Sequence, residues 1–196
     1  LPVMADFINI DPDGVNINNG CGSTHLEQLS AMTVAGKYQL GIAFDGDADR
    51  CLLVDEQGHT IDGDKIMYVC GKYLREKGQL NGNTVVTTVM SNLGLYKSLE
   101  REGIDYEQTA VGDKYVAENM MENNYSIGGE QSGHIIFSRY SATGDGILTS
   151  LMLMEACVDK KATLCDLAKE MKVYPQLLRN EVAVTPCVDG QGVDFA

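Results

Sequence analysis

The stretch LGIAFDGDADRCLLV, residues 40–54, decides the fold class because it places a short acidic turn between two apolar runs. Residues 40–44 and 51–54 have the length and composition of buried strands. The segment EQG at residues 56–58 is typical of a hairpin turn. We therefore predict two strands that flank an acidic loop, residues 45–50, followed by a hairpin turn.

From residue 63 onward the hydrophobic pattern changes from strand to helix. Apolar side chains recur at i, i+3, i+4, i+7 and i+8 from Ile66 to Leu74, which predicts one buried helical face. Further patterns predict strands at 84–89, 106–111, 125–127 and 134–137, and helices at 92–102, 114–123, 145–158 and from Thr163. Strands that alternate with helices indicate an α/β fold, with mixed β-sheets layered with helices.

A short helix is also predicted before the first strand. Thr24 and Glu27 have the spacing of a capping box, and Gly36 would end the helix that they open.

Composition excludes several classes of function. The formal net charge of −13 and the pI near 4.5 argue against a nucleic-acid partner, because phosphate backbones select basic surfaces. No apolar run approaches the ~20 residues that span a bilayer, so we expect no membrane insertion. The six cysteines form no CxxC pair and have no His cluster beside them, which argues against a zinc site. We expect free thiols and a cytoplasmic location.

The acidic loop carries three carboxylates at alternate positions, Asp45, Asp47 and Asp49. Two like charges ~4 Å apart repel by about 4 kcal/mol at an effective dielectric near 20, so three at one strand end favour a bound cation. An all-oxygen ligand set favours a hard ion such as magnesium or calcium. Arg50 adds a planar cation suited to bidentate contact with phosphate.

Three other interpretations of this loop remain open. It can be a solvated turn of an acidic protein. It can be a calcium loop of the EF-hand type, with Asp45, Asp47, Asp49 and Glu56 at positions 1, 3, 5 and 12, although Arg50 stands at position 6 where glycine is required. It can also belong to a phosphatase with an aspartyl nucleophile, although Thr or Val would then replace Asp49.

A second polar segment, the glycine-rich loop GGEQSGH at residues 128–134, combines an acid, an amide, a hydroxyl and an imidazole. Such a set can bind a polyhydroxy ligand, with Glu130 accepting hydrogen bonds from two vicinal hydroxyls and with Ser132 and His134 adding contacts. The alternative is a polar hairpin loop without a ligand.

Four motifs together resemble the α-phosphohexomutase superfamily. GIAFDGDADR (41–50) resembles its metal loop and GEQSGH (129–134) its sugar-binding loop. NINNGCGSTH (16–25) and VGDKYV (111–116), together with Gln131, resemble the branch that interconverts amino-sugar phosphates. The motifs occur in the expected order over nearly the whole chain.

The resemblance implies a catalytic arrangement. A phosphoserine would donate its phosphoryl group to the sugar and form a bisphosphate intermediate. Asp45, Asp47 and Asp49 would hold Mg²⁺, with the phosphoserine as the remaining ligand. Arg50 would stabilise the charge of the transferring phosphoryl group. His134 would exchange a proton with the sugar hydroxyl or position it.

The resemblance also implies a hexosamine phosphate as substrate. Glu130 and Ser132, with His134, would hold the sugar in both of its orientations. Lys114 is a further substrate-binding candidate, although it stands where many relatives have Arg. We interpret His25 as a structural histidine near the acidic loop.

The superfamily fold predicts how the chain divides. Residues 1–60 would be the later part of the second of four domains, 61–178 the third domain, and 179–196 the start of a linker and the fourth. No loop of the phosphoserine type occurs in these residues, so we expect the isolated chain to fold without turnover. The open sheet edge of residues 1–60 would favour a homodimer. The alternative functions are phosphomannomutase or phosphoglucomutase activity and a non-catalytic calcium-binding module.

Overall fold

The structure, a computed structural model, describes residues 3–177. Its first part is a three-stranded antiparallel sheet in the order β1-β2-β3, built by Leu40–Phe44, Cys51–Asp55 and Thr60–Ile61. The register pairs Phe44 with Cys51, so β1 and β2 flank the acidic loop as predicted. Helix α1, Glu27–Ala35, packs against β1 and β2.

The second part is a four-stranded mixed sheet covered by helices. The strand order is β5-β4-β6-β7; β4 pairs in parallel with β5 and β6, and β7 is antiparallel to β6. The elements, in chain order, are α2 Gly63–Glu76, a 3₁₀ turn Asn81–Asn83, β4 Thr84–Thr88, α3 Leu93–Glu102, β5 Asp105–Thr109, α4 Asp113–Asn123, β6 Ile127–Gly129, β7 Ile135–Phe137, α5 Gly146–Lys160 and α6 Leu164–Ala168. This layered α/β arrangement confirms the predicted fold class.

One hydrophobic core joins the two sheets. Cys51, Leu53 and Ile61 of the first sheet are buried in the same cluster as the apolar face of α2 and side chains of α5 and α6. The fully buried Tyr68 is among the largest of these side chains. The hairpin sheet is therefore fixed to the layers that follow it, and the acidic loop has a rigid support.

The predicted capping box of α1 is wrong. Leu26 is the N-cap residue of α1, and no side chain caps the helix. The preceding residues bond elsewhere: the Ser23 N–H donates to the Phe44 carbonyl at 3.0 Å, and the His25 N–H donates to the Gly22 carbonyl at 3.2 Å. The residue before Thr24 is thus held by the end of β1.

Other predicted elements differ from the structure only at their ends. The predicted strand 125–127 begins two residues later, at Ile127, and the predicted strand 106–111 ends at Thr109. Of the domain boundaries, the segment 179–196 lies outside the described residues, and the division near residue 60 stays a prediction. Within residues 3–177 no helix has the length and apolar character needed to cross a membrane. The five cysteines of this part of the chain carry free thiols.

Candidate functional site

The acidic loop brings its three carboxylates together. Oxygen atoms of Asp45, Asp47 and Asp49 all lie within 4.8 Å of one another. A turn fixes this arrangement: the Ala48 N–H donates to the Asp45 carbonyl at 3.2 Å, and the Arg50 N–H donates to Asp45 Oδ1 at 3.1 Å. Ala48 has a φ of 61°, a left-handed conformation that is uncommon for a residue with a Cβ atom. This strained turn lets three alternate side chains converge.

The charges of the loop fit a divalent cation. Burial, followed by a hydrogen bond with Asp45, raises the pKa of Asp49, while His134 acts in the opposite direction. Carboxylates that resist ionisation beside each other are stabilised by a cation between them. The donor atoms are all carboxylate oxygens, the ligand type of hard ions. The loop therefore fits a magnesium-type ion, and that it holds one stays a prediction.

Arg50 lies at the rim of the acidic loop. Its Nε atom lies 3.8 Å from Asp45 Oδ2 and 3.9 Å from Asp49 Oδ1, and 47% of its side chain is exposed. Long, half-exposed ion pairs contribute little to stability. The guanidinium group therefore remains accessible to an anionic ligand beside the carboxylates.

Backbone pairing connects the acidic loop to the glycine-rich loop. Arg50 and His134 form an antiparallel β-bridge, and the Cys51 N–H donates to the Gly133 carbonyl at 3.1 Å. Gly133 has a φ of 96°, and a Cβ atom there would collide with the Cys51 carbonyl oxygen. Glycine is thus required at this position, and the two predicted loops form one site.

His134 contacts the acidic loop and not the open surface. Only 4% of its side chain is exposed, and its Nδ1 lies 3.0 Å from Asp49 Oδ2. Its Nε2 accepts a hydrogen bond from the Gly144 N–H at 3.1 Å, so the ring hydrogen belongs on Nδ1 and is donated to Asp49. Both ring nitrogens are occupied inside the protein. The ring therefore contacts Asp49 in this structure, and proton exchange with a sugar hydroxyl and a sugar contact stay predictions.

The starts of α2 and α4 hold the glycine-rich loop through one backbone carbonyl and one side chain. Glu130 Oε1 accepts from the Gly112 N–H at 3.0 Å, at the start of α4. The Gly63 N–H donates to the Gln131 carbonyl at 2.9 Å, at the start of α2. Free N–H groups and the helix dipole favour such acceptors at helix N-termini. The loop is therefore fixed from two sides.

Ser132 and Lys114 are less constrained. Ser132 lies exposed at the tip of the glycine-rich loop, open to a ligand. The side chain of Lys114 is 73% exposed, and its Nζ lies 3.7 Å from Glu118 on the same helix. Lys114 therefore lies two residues after Gly112, whose N–H contacts Glu130, but its ammonium group lies beside Glu118.

The sequence analysis missed Asp64. This residue is fully buried, and its Oδ2 accepts from the Asn92 N–H at 2.7 Å and from Gln131 Nε2 at 3.1 Å. Its Oδ1 has no hydrogen-bond partner, and burial raises its pKa to about 6. No distinctive pattern marks Asp64 in the sequence, because acids in the first turn of a helix are common. Asp64 joins the glycine-rich loop to the segment before α3.

Asn92 extends this network, and it was also missed. Its Oδ1 caps α3 by accepting from the Gly94 N–H at 2.9 Å, and its Nδ2 donates to the Tyr174 carbonyl at 2.8 Å. Its position before a helical pattern signals a cap, but nothing in the sequence indicates contacts with Asp64 or Tyr174.

Comparison with known proteins identifies the family. Residues 62–174 match the sequence model of the phosphoglucomutase/phosphomannomutase α/β/α domain III. The chain is 62% identical to a phosphoglucosamine mutase of Lachnoclostridium phytofermentans, over 88% of this chain and 39% of the relative. The phosphoglucosamine mutase of Lactiplantibacillus plantarum is 54% identical, over 92% of this chain and 40% of the relative. The chain thus spans about two fifths of the length of these relatives.

Solved structures show the same fold. A phosphoglucomutase/phosphomannomutase family protein of Burkholderia thailandensis matches with a TM-score of 0.68 and 23% identity, over 84% of this chain and 34% of that chain. The N-acetylphosphoglucosamine mutase of Aspergillus fumigatus, solved with GlcNAc-6P and magnesium, matches with a TM-score of 0.64 and 22% identity, over 95% of this chain and 44% of that chain. The chain therefore belongs to the phosphoglucomutase/phosphomannomutase family.

Proposed function

We propose that this chain supplies the metal-binding and sugar-binding loops of a phosphoglucosamine mutase, an isomerase that interconverts glucosamine 6-phosphate and glucosamine 1-phosphate. The observation that carries the proposal is the joining of the acidic loop to the glycine-rich loop through His134, Asp49 and the Arg50–His134 bridge. The relatives named phosphoglucosamine mutase, at 54–62% identity, support this choice within the family.

Asp45, Asp47 and Asp49 would hold the magnesium ion. When bound, this ion supplies positive charge to the phosphoryl group that is being transferred. Asp47, the most exposed of the three, offers its oxygen to the open side of the loop. His134 keeps Asp49 oriented by donating from Nδ1, as partners behind a ligand do in metal sites.

Arg50, Glu130 and Ser132 would contact the substrate. Arg50 is half-exposed beside the carboxylates, so its planar guanidinium can pair with phosphate oxygens. Glu130 keeps one carboxylate oxygen on the Gly112 N–H, which leaves the other free to accept from sugar hydroxyls. Because one loop would bind the sugar in both orientations, its contacts serve the forward and the reverse reaction.

The phosphoryl donor would be a serine outside the described residues. The superfamily resemblance implies a phosphoserine and a bisphosphate intermediate. Ser23 and Ser91 are buried, and the Ser91 hydroxyl is hydrogen-bonded to Thr87, so neither is placed to donate a phosphoryl group. Ser132 belongs to the proposed sugar contact.

A chimera tests the proposal. Residues 3–177 of this chain replace the matching segment of the Lachnoclostridium phytofermentans relative, and mutase rates are measured on glucosamine, glucose and mannose phosphates. We expect turnover that is fastest with glucosamine phosphate. A folded chimera that is inactive on all three would refute the proposal, and one that prefers glucose or mannose phosphate would assign the chain to the alternative mutases.

The calcium-binding alternative has less support. An EF-hand loop needs flanking helices, whereas β1 and β2 flank the acidic loop. The cytoplasmic location and a homodimer through residues 1–60 stay predictions.

A further inference from the structure

A second group of metal-ligating side chains lies at the opposite end of β2 from the acidic loop. Asp55, His59 and Cys165 each offer one ligand atom, and these three atoms lie within 4.8 Å of one another. Asp55 is the last residue of β2, whereas the acidic loop precedes its first residue, Cys51. A five-residue strand is about 13 Å long, so the two groups are separate.

Asp55 and His59 are arranged by the hairpin turn. Asp55 is 2% exposed, and its Oδ1 accepts from the backbone N–H groups of Gln57 and His59, both at 2.9 Å. Its Oδ2 lies 3.2 Å from His59 Nδ1. Two ligands bound at about 2.0–2.1 Å in a tetrahedral zinc site lie roughly 3.3 Å apart. The carboxylate and the imidazole therefore already have the spacing of two zinc ligands.

Helix α6 supplies the third side chain. The thiol of Cys165 is half-buried, and the Cys165 N–H donates to Glu56 Oε2 at 3.4 Å, which connects α6 to the same hairpin turn. The group opens onto a cavity of about 300 Å³. Two lysines also line this cavity. Both ammonium groups are bonded to other groups: Lys65 Nζ donates to the Thr60 carbonyl at 2.8 Å, and Lys169 Nζ donates to Asp166 at 2.8 Å.

We propose that Asp55, His59 and Cys165 form a binding site for a zinc-type transition metal, distinct from the acidic loop. A thiolate and an imidazole select Zn²⁺ over Mg²⁺, whereas the acidic loop has only oxygen donors. Three protein ligands leave a fourth position for water from the cavity. The bound ion joins the hairpin turn to α6. The absence of CxxC pairs hides this site in the sequence, because its ligands come from two distant segments.

Metal titration of the 196-residue chain tests this site. The chain is reduced and kept in excess Mg²⁺, which competes with Zn²⁺ for the acidic loop, and is then titrated with Zn²⁺ by calorimetry. We expect one equivalent to bind, with an affinity at least about tenfold weaker in Cys165→Ser and in His59→Gln. In a parallel titration, Co²⁺ should give the near-ultraviolet absorption of a cobalt–thiolate bond.

The matched control is Cys21→Ser, which removes another half-buried thiol and should leave both signals unchanged. Far-ultraviolet circular dichroism confirms that each variant is folded. In the parent chain, Zn²⁺ should also slow alkylation of Cys165 but not of Cys21. Absence of zinc binding, a cobalt–thiolate band that persists in Cys165→Ser, or zinc that leaves Cys165 alkylation unchanged would each overturn the proposal.

Discussion

The acidic loop and the glycine-rich loop form one site but are held in different ways. The carboxylates of the acidic loop come from five consecutive residues, and two hydrogen bonds within residues 45–50 close its turn, while the Gly146 N–H and His134 hold it from outside. In the glycine-rich loop, Glu130, Gln131 and His134 are each held by a residue at least 10 positions away in the sequence. Variants in the acidic loop should therefore change charge and leave the fold intact, whereas the glycine-rich loop should respond to changes at remote partners.

The largest effect is expected at the most exposed carboxylate. Asp47→Asn in the active chimera removes one charged ligand from the loop, and we expect mutase activity to fall about 10³-fold, or about 4 kcal/mol. Steady-state rates and Mg²⁺ titration measure the change. The control is Asp105→Asn, which neutralises an exposed aspartate on β5. Activity within a factor of about three of the parent would contradict the metal role.

The next effect tests the remote partner Asp64 through pH. Its pKa is raised to about 6 in the folded chain, so the folded state binds its proton more tightly than the unfolded state. The stability from this group is therefore complete only below pH 3.8, the unfolded pKa, and is lost as pH rises from there through 6, by about 3 kcal/mol in total. Urea unfolding at pH 4 to 7 should show this loss in the parent relative to Asp64→Asn. A difference between the two proteins that is independent of pH would contradict it.

Glu130→Gln should cost about 1.5–3 kcal/mol of transition-state stabilisation in the chimera, because an ionised acceptor becomes neutral. The amide oxygen can still accept from the Gly112 N–H, so the loop should stay in place. Rates with either phosphate isomer should fall alike. Glu122→Gln, on the exposed part of α4, is the control. Full activity in both directions would remove Glu130 from the site.

His134→Gln distinguishes positioning from proton transfer. If the ring orients Asp49, Mg²⁺ affinity measured by calorimetry should fall about 10- to 100-fold. Gly144→Ala should act in the same direction, because a Cβ atom there would lie 2.6 Å from the imidazole. A lower mutase rate with unchanged Mg²⁺ affinity in both variants would favour proton transfer by His134 over positioning of Asp49.

The smallest effect on stability is expected at Lys114. Its ammonium group is exposed and lies 3.7 Å from Glu118, so Lys114→Ala should change the free energy of unfolding by less than about 0.5 kcal/mol. If Lys114 binds the substrate phosphate, KM of the chimera should rise with kcat unchanged. An unchanged KM would exclude Lys114 from the substrate contacts.

Local patterns predicted most of the fold. The strands β1 and β2 and the helices α2, α3, α4 and α5 were predicted from local residue patterns, and each of these elements packs apolar side chains in or against a hydrophobic cluster. The capping box of Thr24 and Glu27 was not confirmed, because α1 begins after Leu26 and no side chain caps it. Strand ends in the second sheet differed by one to two residues, since pairing partners decide where a strand ends.

The sequence by itself determined the three carboxylates of the acidic loop, because alternate side chains after a strand converge within a single turn. Only the tertiary structure decided the contact of His134, whose ring meets Asp49 across 85 positions, and the partner of Gln131, 67 positions away. The group of Asp55, His59 and Cys165 also exists only in the folded chain. Spacing along a chain fixes contacts within one turn or strand, whereas contacts between distant segments depend on how the layers pack.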